Sequence, residues 1–253
     1  VFSSGKSKKI SDFLAKKFIL QYEASIFLSE ALMRKTVEML QIPEDMVNQK
    51  FSTAQWGPDT EFYHTDEPEI SLEDCNYFIS AGHTDRDYDT LIEAFRGTDY
   101  PLKIFCSKKS LPKNQDIPPN VSINSNGVPY FELLSYYRKS RAILIPLRYP
   151  PEKEGCQGMT SIQDVIALGK PTIMTTNRSL NLDVEKEGFG ISIEMGDVEG
   201  WRKAIKLLID DNEILTNMGL KAKKTYREKF NSQVFADKLQ KVFLKVYKSN
   251  GQK

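Results

Sequence analysis

Cysteine is scarce: Cys75, Cys106 and Cys156 are the only three in a chain of 253 residues. An odd number at such wide spacing makes neither a disulfide framework nor a metal cluster, and it favours a reducing compartment. Histidine is scarcer, with only His64 and His83. No Ser-His-Asp spacing, His-Glu-x-x-His pattern or Walker loop occurs, so those chemistries have no residues to carry them. No apolar run approaches the ~18 residues a spanning helix needs. The opening VFSSGKSKK has no apolar segment for a secretory signal. It begins with Val and reads as part of something longer. Charge of one sign is missing too, since the formal net charge is +1. No broad basic field therefore argues for nucleic acid. What remains, 40% hydrophobic and 27% charged, is globular composition for one large or two modest domains.

Taken in order, residues 1–10 are polar and basic. Lys6, Lys8, Lys9, Lys16 and Lys17 make a cluster that reads as a solvated terminus or as a contact for anionic lipid head groups. Phe13, Leu14, Lys17, Phe18 and Gln21 follow helical spacing. Residues 24–28 read as a buried strand. Ser29 is an N-cap for a helix with Leu32, Met33, Val37 and Leu40 inward, ended by Pro43. Residues 50–53 read as a strand, and Gly57-Pro58-Asp59 as a turn. His64 follows in a polar stretch and reads as exposed.

From Cys75 onward, strands alternate with helices. Strands are expected at 77–79, 102–106, 121–123, 142–146, 172–175 and 190–193. Helices are expected at 89–95, 129–139, 198–209, 214–226 and 233–247. The last carries Phe235, Leu239, Val242, Phe243 and Val246 on one face. This alternation predicts an α/β, Rossmann-like, doubly wound parallel sheet. Ligands of such sheets gather beyond the carboxyl ends of the strands.

The stretch at 154–171, EGCQGMTSIQDVIALGKP, organises the rest. A small-residue loop, Gly155-Cys156-Gln157-Gly158, precedes a helical pattern of Met159, Ile162, Val165 or Ile166, and Leu168. Gly169 closes it, and Pro171 starts the next strand. The free N–H groups at such a helix start suit a phosphate near Thr160, and Asp164 lies one turn on, placed for a hydroxyl such as a ribose. An ordinary loop–helix–strand reads the same way. Arg86, in the loop after the strand at 77–79, has a planar fork suited to pyrophosphate. Its other reading is a salt bridge to Asp85, Asp87 or Asp89. Tyr130 either stacks on a base or packs the start of its helix.

The stretch at 154–171 resembles the donor-binding motif of GT-B glycosyltransferases, specifically the large retaining family 4. That motif runs acid, seven residues, acid, then a helix ending in Gly-x-Pro. Asp164 matches the second acid. Cys156 stands at the first, with Glu154 two residues away, and residues 156–160 are similar to the Gln-Gly version of that loop. Residues 56–63 resemble the family's interdomain segment. The resemblance implies phosphate contacts from Gly82, His83, Arg86, Gly158, Met159 and Thr160. It implies sugar contacts from Glu154, Cys156 and Gln157, ribose at Asp164, and base contacts near Ser107, Val128 and Tyr130. No cofactor and no metal ion are implied beyond a UDP- or GDP-linked sugar as donor. The partner is a glycan or lipid-linked acceptor, in a cytoplasmic setting or at the inner face of a membrane.

The domains expected are a remnant of an acceptor-side domain with its linker at 1–70, a donor-binding domain at 71–228, and a bracing helix at 229–253. The family's histidine that faces the reacting sugar has no match, so the catalytic residue is unknown. The missing half belongs to the same precursor or to another chain. Two other readings stand beside this one: a GT-B enzyme of the nucleotide-sugar 2-epimerase kind, and a non-catalytic nucleotide-sugar-binding partner subunit.

Overall fold

The computed structural model describes residues 6–63 and 70–250. It opens with α1 (Lys6–Leu20), β1 (Ser25–Phe27), α2 (Glu30–Leu40), α3 (Glu44–Lys50) and β2 (Phe51–Thr53). β1 and β2 pair in parallel, Ser25 opposite Phe51. Leu40, Ile42, Val47 and Phe51 bury a small core there. Ser29 caps α2 as expected, accepting from the Leu32 N–H at 3.1 Å. Pro43 does more than follow α2. It is the N-cap of α3, a helix absent from the sequence reading. Proline is tolerated at a helix start because no N–H is needed there, and Glu44 and Asp45 suit the positive end of the dipole. The strand expected at 24–28 is three residues long and half-buried. Within the expected basic cluster, Lys16 donates to the Gln41 carbonyl at 2.6 Å. The side chains of Lys6, Lys8 and Lys9 lie outside the described residues, as do residues 1–5 and His64.

The main unit runs β3 (Phe78–Ala81), α4 (Tyr88–Phe95), β4 (Leu102–Phe105), β5 (Val121–Asn124), α5 (Tyr130–Arg138), β6 (Ile143–Ile145), α6 (Met159–Leu168), β7 (Thr172–Thr175), β8 (Gly190–Ile193), α7 (Val198–Asp210) and α8 (Asn212–Glu228). The six strands form one sheet, β5-β4-β3-β6-β7-β8, parallel throughout. Successive side chains take opposite faces, as the pleat requires. Phe78, Leu102, Ile104 and Leu144 join Leu91 and Phe95 of α4 and Trp201 and Ile205 of α7. Ile79, Phe105, Ile143 and Ile145 join Tyr137 of α5, Val165 of α6 and Ala222 of α8. Each buried side chain of this size contributes about 1.5–3 kcal/mol. Both faces are covered at the centre, where β3, β6 and β7 are wholly buried, whereas β5 exposes Ser122 and Asn124.

The winding reverses between β3 and β6, so the loops leaving those strands diverge and leave a crevice at their carboxyl ends. A final helix, α9 (Ser232–Asn250), returns toward the N-terminal unit, where Lys245 donates to the Asn48 carbonyl at 3.1 Å. The linker is pinned where α9 begins: the Ser232 N–H donates to the Pro58 carbonyl at 2.9 Å. A Cβ on Gly57 would fall 2.3 Å from the Asn231 nitrogen. On α9 itself Val242 is buried, whereas Phe243, expected on the same face, is 63% exposed. Neighbouring helix positions differ by about 100°, so the two cannot share one narrow face.

Candidate functional site

A cavity of about 850 Å³ opens in that crevice, walled by loops after β3, β4, β5 and β6 and by Trp56 and Tyr63 of the linker. Its donor-rich end is the start of α6. Gly158 takes φ 85°. A Cβ on it would come within 2.7 Å of Met174 Cε, so glycine lets the loop settle on the strand ends. The Met159 N–H donates to the Cys156 carbonyl and the Ile162 N–H to the Gly158 carbonyl. The N–H groups of Thr160 and Ser161 have no partner among the described residues. They carry the positive end of the helix dipole into the cavity.

Arg86 reaches the same place. Its Nη2 donates to Ser161 Oγ at 2.9 Å and, more weakly, to the Ala81 carbonyl at 3.5 Å, while Nη1 donates to the Thr84 carbonyl at 3.1 Å. Nε is buried with no hydrogen-bond partner. Burial pushes the guanidinium's pKa down, and nearby Tyr88, Tyr137 and Asp85 only partly oppose that. The neighbouring acids are engaged elsewhere. Asp87 caps α4 through the Thr90 N–H and lies 2.7 Å from Arg148, in a contact that is ionic and poorly aligned for a hydrogen bond. Asp89 accepts from the Lys113 and Asn114 N–H groups, and Asp85 accepts from Gln157. The alternation Asp85, Asp87, Asp89 thus assembles no metal site, and no group of three metal-ligating side chains occurs among the described residues.

One turn along α6, Asp164 is only 7% exposed. Tyr63 donates to its Oδ1 at 2.5 Å, Tyr130 donates to the same oxygen, and the two hydroxyls are 2.5 Å apart. Burial raises the Asp164 pKa, and the two hydroxyls draw it partly back. Burial first, then the Asp164 charge, raises both tyrosines well above their ordinary value. Beside Asp164, Gln163 Nε2 is a second buried donor without a partner. The loop before α6 is tied down from inside and outside. Gln157 accepts from the Gly155 N–H at 2.8 Å and donates to the Lys153 carbonyl at 2.8 Å. Asn177, after β7, donates to the carbonyls of Gly155 and Gln157 at 3.0 and 2.9 Å.

Among the residues expected to meet phosphate, Gly82, His83, Arg86, Gly158 and Thr160 line the cavity. Gly82 lies under the Arg86 side chain, where a Cβ would sit 2.3 Å from Nε. Met159 differs: its N–H is spent on Cys156 and its side chain is 2% exposed in the core. Of the sugar candidates, Cys156 and Gln157 face the cavity, and burial raises the Cys156 thiol pKa. Glu154 lies off the cavity wall, accepting from Ser179 Oγ at 3.0 Å. Of the base candidates, Val128 and Tyr130 line it. Ser107 turns to Ser110 Oγ at 2.9 Å, and its neighbour Cys106 lines the wall instead. Sequence reading missed Ser161, Gln163, Trp56 and Tyr63 as wall residues, and Asn177 as the residue that ties the loop from outside. Ser161 and Gln163 had a signal, lying within one turn of Thr160. Asn177 had none.

No family model and no curated protein matches the chain. Solved structures do. A glycosyltransferase from Rickettsia africae superposes with TM-score 0.73 at 14% identity, covering 98% of this chain and 69% of its own. Sucrose-phosphate synthase from Thermosynechococcus elongatus gives TM-score 0.73 at 13% identity, covering 98% and 64%. Anabaena HepE, solved with UDP and glucose, gives TM-score 0.67 at 13% identity, covering 93% and 67%. The fold is that of the GT-B glycosyltransferases. The chain spans 64–69% of the length of these three structures.

Proposed function

We propose that this chain is the donor-binding portion of a retaining, family 4-like glycosyltransferase. It moves a sugar from a UDP- or GDP-linked donor to a glycan or lipid-linked acceptor. Residues 71–228 hold the donor, and α9, within the expected segment 229–253, braces the N-terminal part. One observation carries the reading: a half-buried guanidinium, its Nε buried and unpartnered, lies 2.9 Å from Ser161 Oγ, at a helix start whose N–H groups are unpartnered. Such donors stabilise charge that develops as a diphosphate leaves. In the step proposed, the bond from the anomeric carbon to the phosphate oxygen breaks and a bond to the acceptor oxygen forms. The acceptor's proton passes to the departing phosphate, so no protein base is required. That one similar protein was solved with UDP and glucose supports a nucleoside diphosphate as the occupant.

A second reading is a binding subunit without turnover of its own. Cys156 favours it, because a thiol faces the cavity where the resembled motif carries an acid. Calorimetric titration with UDP, GDP and pyrophosphate tests both. Binding of one nucleoside diphosphate without added metal is expected. Binding without sugar transfer, even with the rest of a GT-B enzyme supplied, would favour the subunit. Failure of both nucleotides to bind would sink both readings.

A further inference from the structure

We infer that Tyr63 and Tyr130 hold the place of a ribose diol on Asp164 in the ligand-free protein, and that an incoming nucleoside displaces the Tyr63 hydroxyl. This rests on the donor-site reading above. The two phenol hydroxyls are 2.5 Å apart and both donate to the Asp164 carboxylate, so they present it with a close pair of hydroxyl donors, as a vicinal diol does. A carboxylate 7% exposed cannot be left unpaired, because a buried charge without hydrogen bonds is costly. Something must fill it when the cavity is empty. Tyr130 is held in α5, whereas Tyr63 belongs to the linker and packs on the sheet core only partly buried, so Tyr63 is the partner freer to leave.

Its departure has a consequence along the chain. Phe62 stacks near-parallel on Tyr130, with centroids 5.9 Å apart, and meets Tyr63 edge-on at 5.0 Å. Releasing Tyr63 loosens this aromatic clamp between the linker and the base end of the cavity. Nucleoside binding is thereby coupled to the segment that joins the two parts of the protein. Trp56, on the same linker and on the cavity wall, is 40% exposed, while Trp201 is 1% exposed in the core. Trp56 is therefore the reporter.

Tyr63→Phe keeps the ring and removes only the hydroxyl. The variant is expected to bind the nucleoside diphosphate about tenfold more tightly, since no charge-assisted bond has to be broken first. Pyrophosphate, which has no ribose, is expected to bind wild type and variant alike. Unchanged or weaker nucleotide binding overturns the inference, and so does a parallel loss for both ligands. If the variant loses its circular dichroism, wild-type emission decides. A Trp56 shift with the nucleotide and none with pyrophosphate upholds displacement, and no shift with either overturns it. Wild type that binds pyrophosphate but no nucleoside diphosphate overturns the donor-site reading itself, whatever Tyr63 does.

Discussion

Arg86→Met separates a ligand-binding arginine from a structural one. Arg86 gives hydrogen bonds to two carbonyls and one hydroxyl and keeps Nε unpartnered. All three acceptors are neutral, and Ala81, Thr84 and Ser161 border the cavity, where water can replace the lost donor. The half-buried guanidinium also carries a desolvation cost, as its lowered pKa reports. These terms oppose each other, so the net change in stability should be about 1 kcal/mol or less, a shift in Tm below about 4 °C for a chain this size. An arginine that anchored the fold through a buried ion pair would instead cost about 3–5 kcal/mol on removal.

Ligand binding should respond oppositely. Charged hydrogen bonds are worth about 1.5–3 kcal/mol each, so affinity for a diphosphate should fall about 10- to 150-fold. At a nucleotide concentration 100 times its Kd, wild type should gain about 2.7 kcal/mol, or roughly 5–11 °C. A variant thirtyfold weaker should gain only about 0.9 kcal/mol at that concentration. Thermal melts with and without nucleotide, backed by calorimetry, read both effects. A ligand-free melt more than about 6 °C lower, or an affinity within twofold of wild type, refutes the reasoning.

Asp164→Asn tests the buried carboxylate through pH. Burial raises the Asp164 pKa in the folded state above its ordinary 3.8. Its favourable contribution is therefore complete below that value and is lost as pH rises through the folded pKa. The variant does not titrate, so its Tm minus that of wild type should grow as pH rises above about 4. A constant or shrinking difference in melts across pH would contradict this. Gly57→Ala tests the linker junction. A Cβ 2.3 Å from a backbone nitrogen cannot be relieved by a rotamer, so the linker must part from the start of α9. The cost should be about 1–3 kcal/mol, with faster amide exchange at Ser232, whose N–H is held by the Pro58 carbonyl.

The sheet was legible because its central strands are buried on both faces. Residues 143–145 and 172–175 are fully buried, so they appear in the sequence as short apolar runs between turn residues. The helix of the central stretch was legible because Gly169, at φ 64°, closes it. α3 was not, since seven residues make too few turns for a periodic signal and a proline precedes them. The site was half legible. Loops that follow parallel strands must share one rim, which brought Arg86, Thr160 and Asp164 to the same region. Which side chains touch was beyond it. Arg86 and Ser161 are 75 positions apart, and Tyr63 and Asp164 are 101 apart. Local spacing left Arg86 a choice of three nearby acids. Only the fold shows each of those acids bound to something else.

The order of groups along the cavity narrows what fits it. Unpartnered donors stand at one end: Arg86 Nε and the N–H groups of Thr160 and Ser161. The acceptor Asp164 lies four residues on, one helical turn or about 5–6 Å away. Tyr130, whose hydroxyl reaches Asp164, presents an exposed ring to the cavity, which Val128 and Leu133 also line. A free sugar would leave the donors unfilled, and inorganic phosphate would leave the carboxylate to its tyrosines. A molecule with anionic, hydroxylic and flat apolar parts in that sequence satisfies every group in turn, which is the chemical outline of a nucleoside diphosphate. A structure with the anion bound at Asp164 and the donors of α6 empty would break this order.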